Sequence, residues 1–363
     1  MTNSNSDGQP DGYSPLTKIE HGYAARNTSM PLEALDQDIT PIGLHYTLCH
    51  WDVQFIDAAN WKLEIHGDTS SKTLDFDGLR SLPRVDRIVT MECAGNGRKF
   101  MVPAVRGVPW RVDAVGTARW TGTDLGPLLE EVGIGESTCE FLFTGSDYGL
   151  ERGARDNYVR SMTVAEAMTE GVMIVYAMNG QPIPPQHGGP VRLLVPRWHG
   201  MASVKWLKQI RTAQEPFMGV QMVENYRIRQ SPDELGEMIK HMRPRSLMRP
   251  VGTNDYGGIE RLVKLAPQPI SGRTWSGYGD IVRVEFSADA GQTFVDADLA
   301  EPVSDFAWRA WSTTWTPETP GPYRLCSRAT DSTGRVQPLD PVWNVEGVAN
   351  NSVQFVDVIV EEP

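Results

Sequence analysis

Apolar and polar residues alternate with a two-residue period in several short stretches of the chain. The segment WKLEIHG places Trp61, Leu63 and Ile65 at every second position, which is the pattern of a strand with one buried face. The segment GVMIVYAMNGQPIPP begins with a continuous apolar run and then reaches Asn179-Gly180. That order predicts a buried strand that ends in a turn.

Two segments between these strands carry helix signals. In TGTDLGPLLEEVG, Thr123 is the predicted N-cap of a short helix that ends at Gly133. In TVAEAM, Thr163 and Glu166 have the spacing of a capping box. Short strands mixed with short helices predict a mixed α+β domain over residues 26–245.

The helical signals stop from about residue 260. In DIVRVEFSADAGQTFVDADL, the apolar positions Val282, Val284 and Phe286 predict a strand, and a turn is expected near Gly291. Further strand and turn patterns follow, so residues 246–363 are predicted to form an all-β sandwich of immunoglobulin type. The polar residues 1–25 are expected to be a flexible segment.

Composition narrows the classes of partner. The 363-residue chain has a net charge of -12, which argues against nucleic-acid binding because that requires clustered Lys and Arg. No window approaches 18 apolar residues, so no membrane-spanning helix is expected. The N-terminal residues lack the apolar core of a signal peptide. A cytoplasmic location is therefore expected, or a periplasmic one if a leader has been removed.

Cys93 is the first candidate for chemistry, since it follows the apolar run of IVTMECAGNGRKF. It is compatible with a buried structural thiol, with a nucleophile that uses a histidine base, or with a metal ligand. The sequence has no CxxC motif, and all four cysteines are expected to be free thiols. Arg98 would favour the thiolate form. A soft thiolate can hold a metal whose other ligands come from a cofactor.

A second group of candidates lies in the segment PQHGGPVRLLVPRWHGMASVKW. Its cationic and hydroxyl side chains are either those of a solvated loop or those of a site for phosphate or another large anion. They are His187, Arg192, Arg197, His199, Ser203 and Lys205. A cysteine for a metal together with an anion site is what a phosphorylated metal cofactor requires.

The segments ECAGNGR, VGTARWTG, YAMNGQPIPPQHGGPVRLLVP and SVKWLKQI resemble the molybdenum domain of the sulfite oxidase family, in that order. The segments GRTWSGYGDIVRVEFSADAGQTF, AWRAW and DSTGRVQP resemble the family's C-terminal immunoglobulin-like dimerisation domain. The resemblance runs from about residue 40 to about residue 360. It implies a molybdopterin-binding domain followed by a sandwich that pairs two subunits into a homodimer.

The resemblance also implies roles for individual residues. Cys93 matches the thiolate ligand of molybdenum. The positions that hold the pterin and its phosphate are matched by His50, Asp147, His187, Arg192, Ser203 and Lys205. Positions of the substrate pocket are matched by Arg98, Trp120 and Tyr226. The implied reaction is oxygen-atom transfer to a small sulfur substrate, with sulfite favoured. No haem-binding motif occurs, so the electrons are expected to pass to a separate acceptor such as a cytochrome, or to oxygen.

Three positions depart from the family pattern. Leu48 and Phe306 stand where arginines of the substrate pocket are expected, with Arg309 near the second position, and Ala202 stands where many relatives have a phosphate-binding arginine. Arg197 or His199 would have to compensate for Ala202. These departures leave open another sulfur compound, or reduction of an S- or N-oxide. A cysteine hydrolase and a cofactor-free binding module are the remaining alternatives.

Overall fold

The computed structural model of the protein describes residues 26–151, 153–254 and 261–362. The predicted flexible segment 1–25 lies outside these residues. The described chain folds into two parts, each of which packs two β-sheets around an apolar core. Among the described residues, no helix is both long enough and apolar enough to cross a membrane.

The first part contains two five-stranded sheets. Their strands are β1 (Lys62–His66), β2 (Ser71–Asp75), β3 (Val85–Glu92), β4 (Val115–Asp124), β5 (Glu140–Glu151), β6 (Ala154–Thr163), β7 (Met173–Met178), β8 (Gln181–Pro182), β9 (Arg192–Leu194) and β10 (Leu207–Ala213). One sheet has the order β2-β1-β10-β5-β6, and the other has the order β3-β4-β7-β8 with β9 paired to β7.

Short helices and one small hairpin complete the first part. The α-helices are α1 (Phe76–Arg80), α2 (Gly126–Val132), α3 (Val164–Ala167) and α4 (Val220–Val223). The 3-10 helices are Leu32–Asp36, Ile42–Leu44, Ala58–Asn60, Arg98–Phe100, Pro185–His187 and Gly200–Ala202. The hairpin consists of β11 (Arg227–Ile228) and β12 (Glu237–Met238).

The two strands predicted in this part are confirmed. Leu63 and Ile65 of β1 are fully buried, as the alternating pattern requires. Strand β7 ends at a turn in which Asn179 and Gly180 have φ values of 50° and 76°. Asparagine and glycine are the residues that adopt positive φ at least cost, so this turn is encoded locally.

The helix predictions have mixed outcomes. Thr123 as an N-cap was wrong, because this residue pairs with Ile174 inside the sheet and α2 begins only at Gly126. The predicted end at Gly133 is confirmed, with φ of 83°. The capping box is confirmed as well, since Thr163 accepts from the Glu166 backbone and its own N–H donates to the Glu166 carboxylate.

The second part is a β-sandwich, as predicted. Its four-stranded sheet has the order β13-β16-β20-β19, formed by β13 (Arg245–Met248), β16 (Gln268–Trp275), β19 (Asp298–Leu299) and β20 (Arg309–Trp315). Its six-stranded sheet has the order β14-β15-β22-β21-β17-β18, formed by β14 (Thr253–Asn254), β15 (Arg261–Lys264), β17 (Ile281–Ser287), β18 (Val295–Asp296), β21 (Gly321–Asp331) and β22 (Val356–Glu361). The immunoglobulin type of the sandwich stays a prediction.

One position of the predicted alternation in β17 was wrong. Val282 is 57% exposed, whereas Val284 and Phe286 are buried. The register between β17 and β21 shifts between Ile281 and Arg283, and Ile281 takes the inward position instead. A bulge of this kind reverses the facing of residues before it. The boundary predicted between residues 245 and 246 stays a prediction, although β13 begins at Arg245.

Candidate active site

A cavity opens in the first part of the molecule, at the end of β3. Eight of the residues singled out in the sequence line it: His50, Cys93, Asp147, His187, Arg192, Ser203, Lys205 and Tyr226. Arg98 and Trp120 do not line it. Leu48, which stands at an expected arginine position, lines it as well. The other lining residues were not indicated by the sequence; they are His45, Tyr46, Met91, Ala94, Tyr158, Gly200, Met201 and Trp206.

Cys93 follows the last residue of β3 and is 7% exposed. Its backbone N–H donates to Ala114 at 2.9 Å, and its carbonyl accepts from Asn96 at 3.0 Å. Burial raises the pKa of the Cys93 thiol, while the positive charge of Arg98 opposes that rise. A metal cation at the sulfur would favour the thiolate strongly. All four cysteines are free, as expected.

A buried ion pair fixes the turn that carries Cys93. Glu92 and Arg245 both have side chains only 2% exposed, and Arg245 Nε lies 2.8 Å from Glu92 Oε1. Asn96 donates to the same oxygen at 2.9 Å, and Trp275 Nε1 donates to Glu92 Oε2 at 3.0 Å. Because Arg245 and Trp275 belong to the sandwich, the second part of the molecule holds the Cys93 turn in place.

Two cations stand in another wall of the cavity. Arg192 donates from Nη1 to the carbonyl of His187 and from Nη2 to the carbonyl of Ser203, both at 2.7 Å. Lys205 Nζ donates to the carbonyl of Leu48 at 2.6 Å. Burial lowers the pKa of Arg192 to about 10 and that of Lys205 to about 8. Both side chains therefore remain cationic at neutral pH and suit a phosphate.

Two histidines near these cations are neutral. The rings of His45 and His187 meet edge to face, with centroids 5.4 Å apart. Burial lowers the pKa of His45 to about 4 and that of His187 to about 2. A neutral imidazole can donate from one nitrogen and accept at the other. His45 was missed in the sequence, where no motif distinguishes it.

Acidic groups also line or border the cavity, and one of them, Asp147, lies close enough to Lys205 for the two charges to interact. His50 Nε2 lies 2.6 Å from Glu151 Oε2, and that hydrogen bond lowers the pKa of Glu151. Asp147 occupies the bulge of β5 and is 4% exposed. Burial raises the pKa of Asp147 to about 6, and its Oδ1 has no hydrogen-bond partner. A buried carboxyl oxygen without a partner is costly, so a donor from a bound ligand is expected there.

Tyr226 lines the cavity from a strained backbone position. Its φ is 61°, which is unusual for a bulky residue. Its N–H donates to Glu346 Oε2 at 2.7 Å, and its carbonyl accepts from Ile239 at 3.0 Å. The cost of the backbone geometry is offset by these bonds, one of which comes from the loop between β21 and β22 of the sandwich. Burial raises the pKa of Tyr226 to about 12, so the hydroxyl stays protonated and can donate.

Arg98 lies beside the Cys93 turn but outside the cavity lining. Its Nε donates to Glu346 O at 3.0 Å and its Nη1 donates to Val108 O at 3.1 Å. The guanidinium covers Gly95 so closely that an added Cβ would lie 2.5 Å from Nη1. Arg98 therefore contributes a fixed charge near Cys93 rather than a side chain projecting into the cavity.

Trp120 is placed away from the predicted substrate pocket. It is fully buried, and the guanidinium of Arg192 lies 5.3 Å from its ring centroid. The tryptophan beside the sulfur is Trp110, whose indole N–H approaches the Cys93 thiol and has no other partner. No sequence motif distinguishes Trp110, because it lies in a loop whose path depends on the tertiary fold.

The substitutes expected for the missing arginines do not reach the cavity. Arg309 is occupied by the carbonyls of Ala300 and Ile281. Arg197 bonds to the carbonyl of Asp305, and His199 is buried beside Glu92. The expected compensation by these three residues was therefore wrong. Phe306 also lies outside the lining, whereas Leu48 does line the cavity.

The residues present fit a phosphorylated cofactor that brings its own metal ligands. Within the described ranges, no group of three His, Cys, Asp or Glu side chains could hold a metal ion by itself, so a metal at Cys93 needs ligands from elsewhere. The cations Arg192 and Lys205 suit the phosphate, and the unpartnered Asp147 Oδ1 suits a donor group of the cofactor.

Comparisons with known proteins agree with this interpretation. Residues 50–221 match the model of the oxidoreductase molybdopterin binding domain, and residues 259–361 match that of the Mo-co oxidoreductase dimerisation domain. The mitochondrial sulfite oxidase of Macaca fascicularis is 32% identical over 92% of this chain, and the chain spans 64% of that relative's length. The sulfite oxidase of Arabidopsis thaliana is 30% identical, with 90% of each sequence covered.

A solved structure supports the fold. The sulfane dehydrogenase SoxCD from Paracoccus pantotrophus superimposes with a TM-score of 0.78. The match covers 100% of this chain and 96% of the other, at 22% sequence identity. At that identity the likeness establishes the shared architecture.

Proposed function

The chain belongs to the sulfite oxidase family of molybdopterin-binding oxidoreductases, and we propose that it oxidises a small sulfur compound, with sulfite as the first candidate. Molybdenum bound to molybdopterin is the cofactor of this family, and it supplies the two-electron redox and oxygen-transfer chemistry when bound. The proposal for this cofactor chemistry is supported by one arrangement: a buried thiol, Cys93, shares a cavity with the cations Arg192 and Lys205.

The cofactor would be held from several sides. Cys93 would supply the one protein ligand of the metal. Arg192 and Lys205 would bind the phosphate, because both are cationic donors in a mostly buried wall. Asp147 Oδ1 would accept a hydrogen bond from the pterin, which gives this unpartnered buried oxygen its partner.

The substrate would bind at the Cys93 end. Tyr226 would donate its hydroxyl hydrogen to an oxygen of the substrate, since its raised pKa keeps it protonated. Arg98 adds positive charge near the sulfur and favours an anion there. Trp110 covers the thiol and excludes water from it. These residues bind and orient the substrate and need no proton transfer of their own.

A second candidate within the same chemistry is favoured by Leu48. This apolar residue lines the cavity where the family pattern has an arginine, and no compensating cation from Arg309 reaches it. A less charged sulfur compound, or an S- or N-oxide as substrate for reduction, would fit such a cavity better than a dianion.

The electron acceptor and the assembly are also proposals. A separate acceptor, such as a cytochrome, is proposed to take the electrons. The sandwich matches a dimerisation domain model, which supports a homodimer.

Steady-state assays with sulfite, thiosulfate and a sulfoxide would test the substrate, using ferricyanide or cytochrome c as acceptor and reduced viologen for the reduction. Sulfite as substrate predicts saturable oxidation, and the variant Leu48→Arg should then lower KM by about tenfold or more, since a charge-assisted contact contributes roughly 1.5 to 3 kcal/mol. Absence of sulfite turnover in the cofactor-loaded protein, combined with turnover of a less charged compound, would establish the second candidate instead.

A further inference from the structure

Arg160 is a buried arginine behind the wall of the cavity. It lies on β6, where it pairs with Phe143 of β5, and it is only 2% exposed. Tyr158 lies two residues earlier on the same strand and lines the cavity. Because side chains two residues apart share one face of a strand, Arg160 points to the same side as Tyr158.

The charge of Arg160 lacks a counter-ion. Its Nη1 donates to the backbone carbonyl of Gln221 on α4, and its Nε has no hydrogen-bond partner. Among the residues that the structure describes, the ionisable groups that act on it are the hydroxyls of Tyr158 and Tyr226, and both are neutral at pH 7. No carboxylate within the described ranges pairs with it.

Other buried arginines of the protein are treated differently. Arg245 is paired with Glu92 at 2.8 Å, and Arg273 is paired with Asp38 at 2.8 Å. Arg227 donates to three backbone carbonyls. An arginine buried without an anion loses much of its hydration energy. Retention of such a charge is expected where a ligand supplies the anion.

Arg160 is coupled to the end of the cavity that contains Cys93. Its guanidinium carbon lies 5.4 Å from the ring centroid of Tyr226. Tyr226 in turn lies close enough to Cys93 and Arg98 for their charges to act on its hydroxyl, and its hydroxyl is within hydrogen-bonding reach of Tyr158. Positive charge against the Tyr226 ring strengthens its O–H as a donor and holds the ring in place.

We propose that Arg160 is a positioning residue for an anionic ligand. Its unpaired charge, acting through Tyr226, holds an oxyanion such as a sulfur oxyanion at the Cys93 end of the cavity. This inference rests on the proposed function in one respect: it assumes that the natural substrate is an anion. Arg160 would thus add positive charge from behind the cavity wall, where the lining itself has Leu48 at the position of a family arginine.

Calorimetric titration of the cofactor-loaded protein with sulfate tests this inference without turnover. The variant Arg160→Met removes the charge and keeps the length, and Arg160→Lys keeps the charge. Arg273→Met is the matched control, because it removes a buried arginine of the sandwich. We expect the Kd for sulfate to rise about tenfold or more in Arg160→Met, and to stay within about threefold of the wild-type value in Arg160→Lys and Arg273→Met.

A second readout separates positioning from folding. Because a buried unpaired charge is costly, Arg160→Met should keep or raise Tm, whereas Arg273→Met should lower it. In sulfite assays, the fold-increase in KM of Arg160→Met should be no smaller than the fold-increase in its sulfate Kd. The change in kcat should be smaller than the change in KM. If Arg160→Met does not fold, Arg160→Gln takes its place as the uncharged variant and Arg160→Lys remains the charged one. The sulfate Kd should then rise about tenfold or more in Arg160→Gln and stay within about threefold of the wild-type value in Arg160→Lys.

Two results would overturn the inference: an unchanged sulfate Kd in the uncharged variant, or absence of sulfate, phosphate and thiosulfate binding to the wild-type protein. Failure of the proposed sulfite oxidation is a different result. In that case the wild-type protein binds sulfate and the uncharged variant loses it, while neither oxidises sulfite.

Discussion

The ion pair between Glu92 and Arg245 gives the sharpest prediction for stability. The substitution Glu92→Gln keeps the shape of the side chain but leaves the Arg245 guanidinium buried without its counter-ion. The Glu92 carboxylate has three partners: Arg245 at 2.8 Å, Asn96 at 2.9 Å and Trp275 at 3.0 Å. Removal of one partner from such a buried pair costs about 3 to 5 kcal/mol.

Urea denaturation at pH 7 would measure this loss. The free energy of unfolding of Glu92→Gln should fall by about 3 to 5 kcal/mol. The double variant Glu92→Gln with Arg245→Met should recover part of the loss, because it removes the unpaired charge as well. Glu131→Gln is the matched surface control, since Glu131 pairs with Lys72 but is 55% exposed, and it should cost less than about 1 kcal/mol.

Two outcomes would refute the claim that the Glu92–Arg245 ion pair holds the Cys93 turn against the sandwich. One is a loss in Glu92→Gln no larger than that of the surface control. The other is a double variant whose loss in the free energy of unfolding equals the sum of the losses of the two single variants. Such additivity is expected of residues that do not interact and not of a coupled pair.

Three further predictions concern the cavity. Burial raises the pKa of Asp147 from 3.8 to about 6, so the folded cofactor-free protein binds a proton more tightly and loses up to about 3 kcal/mol of stability as pH rises from about 4 to 6. Thermal melts of cofactor-free Asp147→Asn should show a higher Tm than wild type at pH 7.5 and little difference at pH 4; the same difference at both pH values would contradict this. Gly95→Ala should raise KM for sulfite with cofactor content retained, because the new Cβ displaces Arg98, whereas Gly43→Ala meets nothing within 4 Å and should match wild type. Lys205→Met removes a cationic donor from the predicted phosphate wall and should reduce pterin content, measured by fluorescence after oxidative release; full content would remove Lys205 from the cofactor site.

Local signals predicted the parts of the fold that local chemistry decides. The strand at Leu63, the turn at Asn179 and the capping box at Thr163 depend on residues close together in the chain. Thr123 failed as a helix cap because its strand continues through it to pair with β7. The prediction that Val282 faces inward was wrong because it depends on a register shift between β17 and β21, and the sequence of one strand does not reveal such a shift.

The cavity was predicted in outline from the resemblance, and its details required the tertiary structure. The segment from His187 to Lys205 forms one wall, so its donors could be recognised from sequence clustering. His45 and Trp110 carry no motif and become significant only when the fold brings them to the cavity and to Cys93. Arg160 is separated from Tyr226 by 66 positions, and the contact between them depends on how β6 packs.

The central claim is that Cys93 is the protein ligand of a molybdenum bound to a pterin. X-ray absorption at the molybdenum edge, on protein from a molybdate-fed host, tests it most directly. The wild-type protein should contain about one molybdenum per chain, and Cys93→Ser should show one fewer sulfur ligand. A wild-type protein without molybdenum, or an unchanged number of sulfur ligands in Cys93→Ser, would contradict the claim.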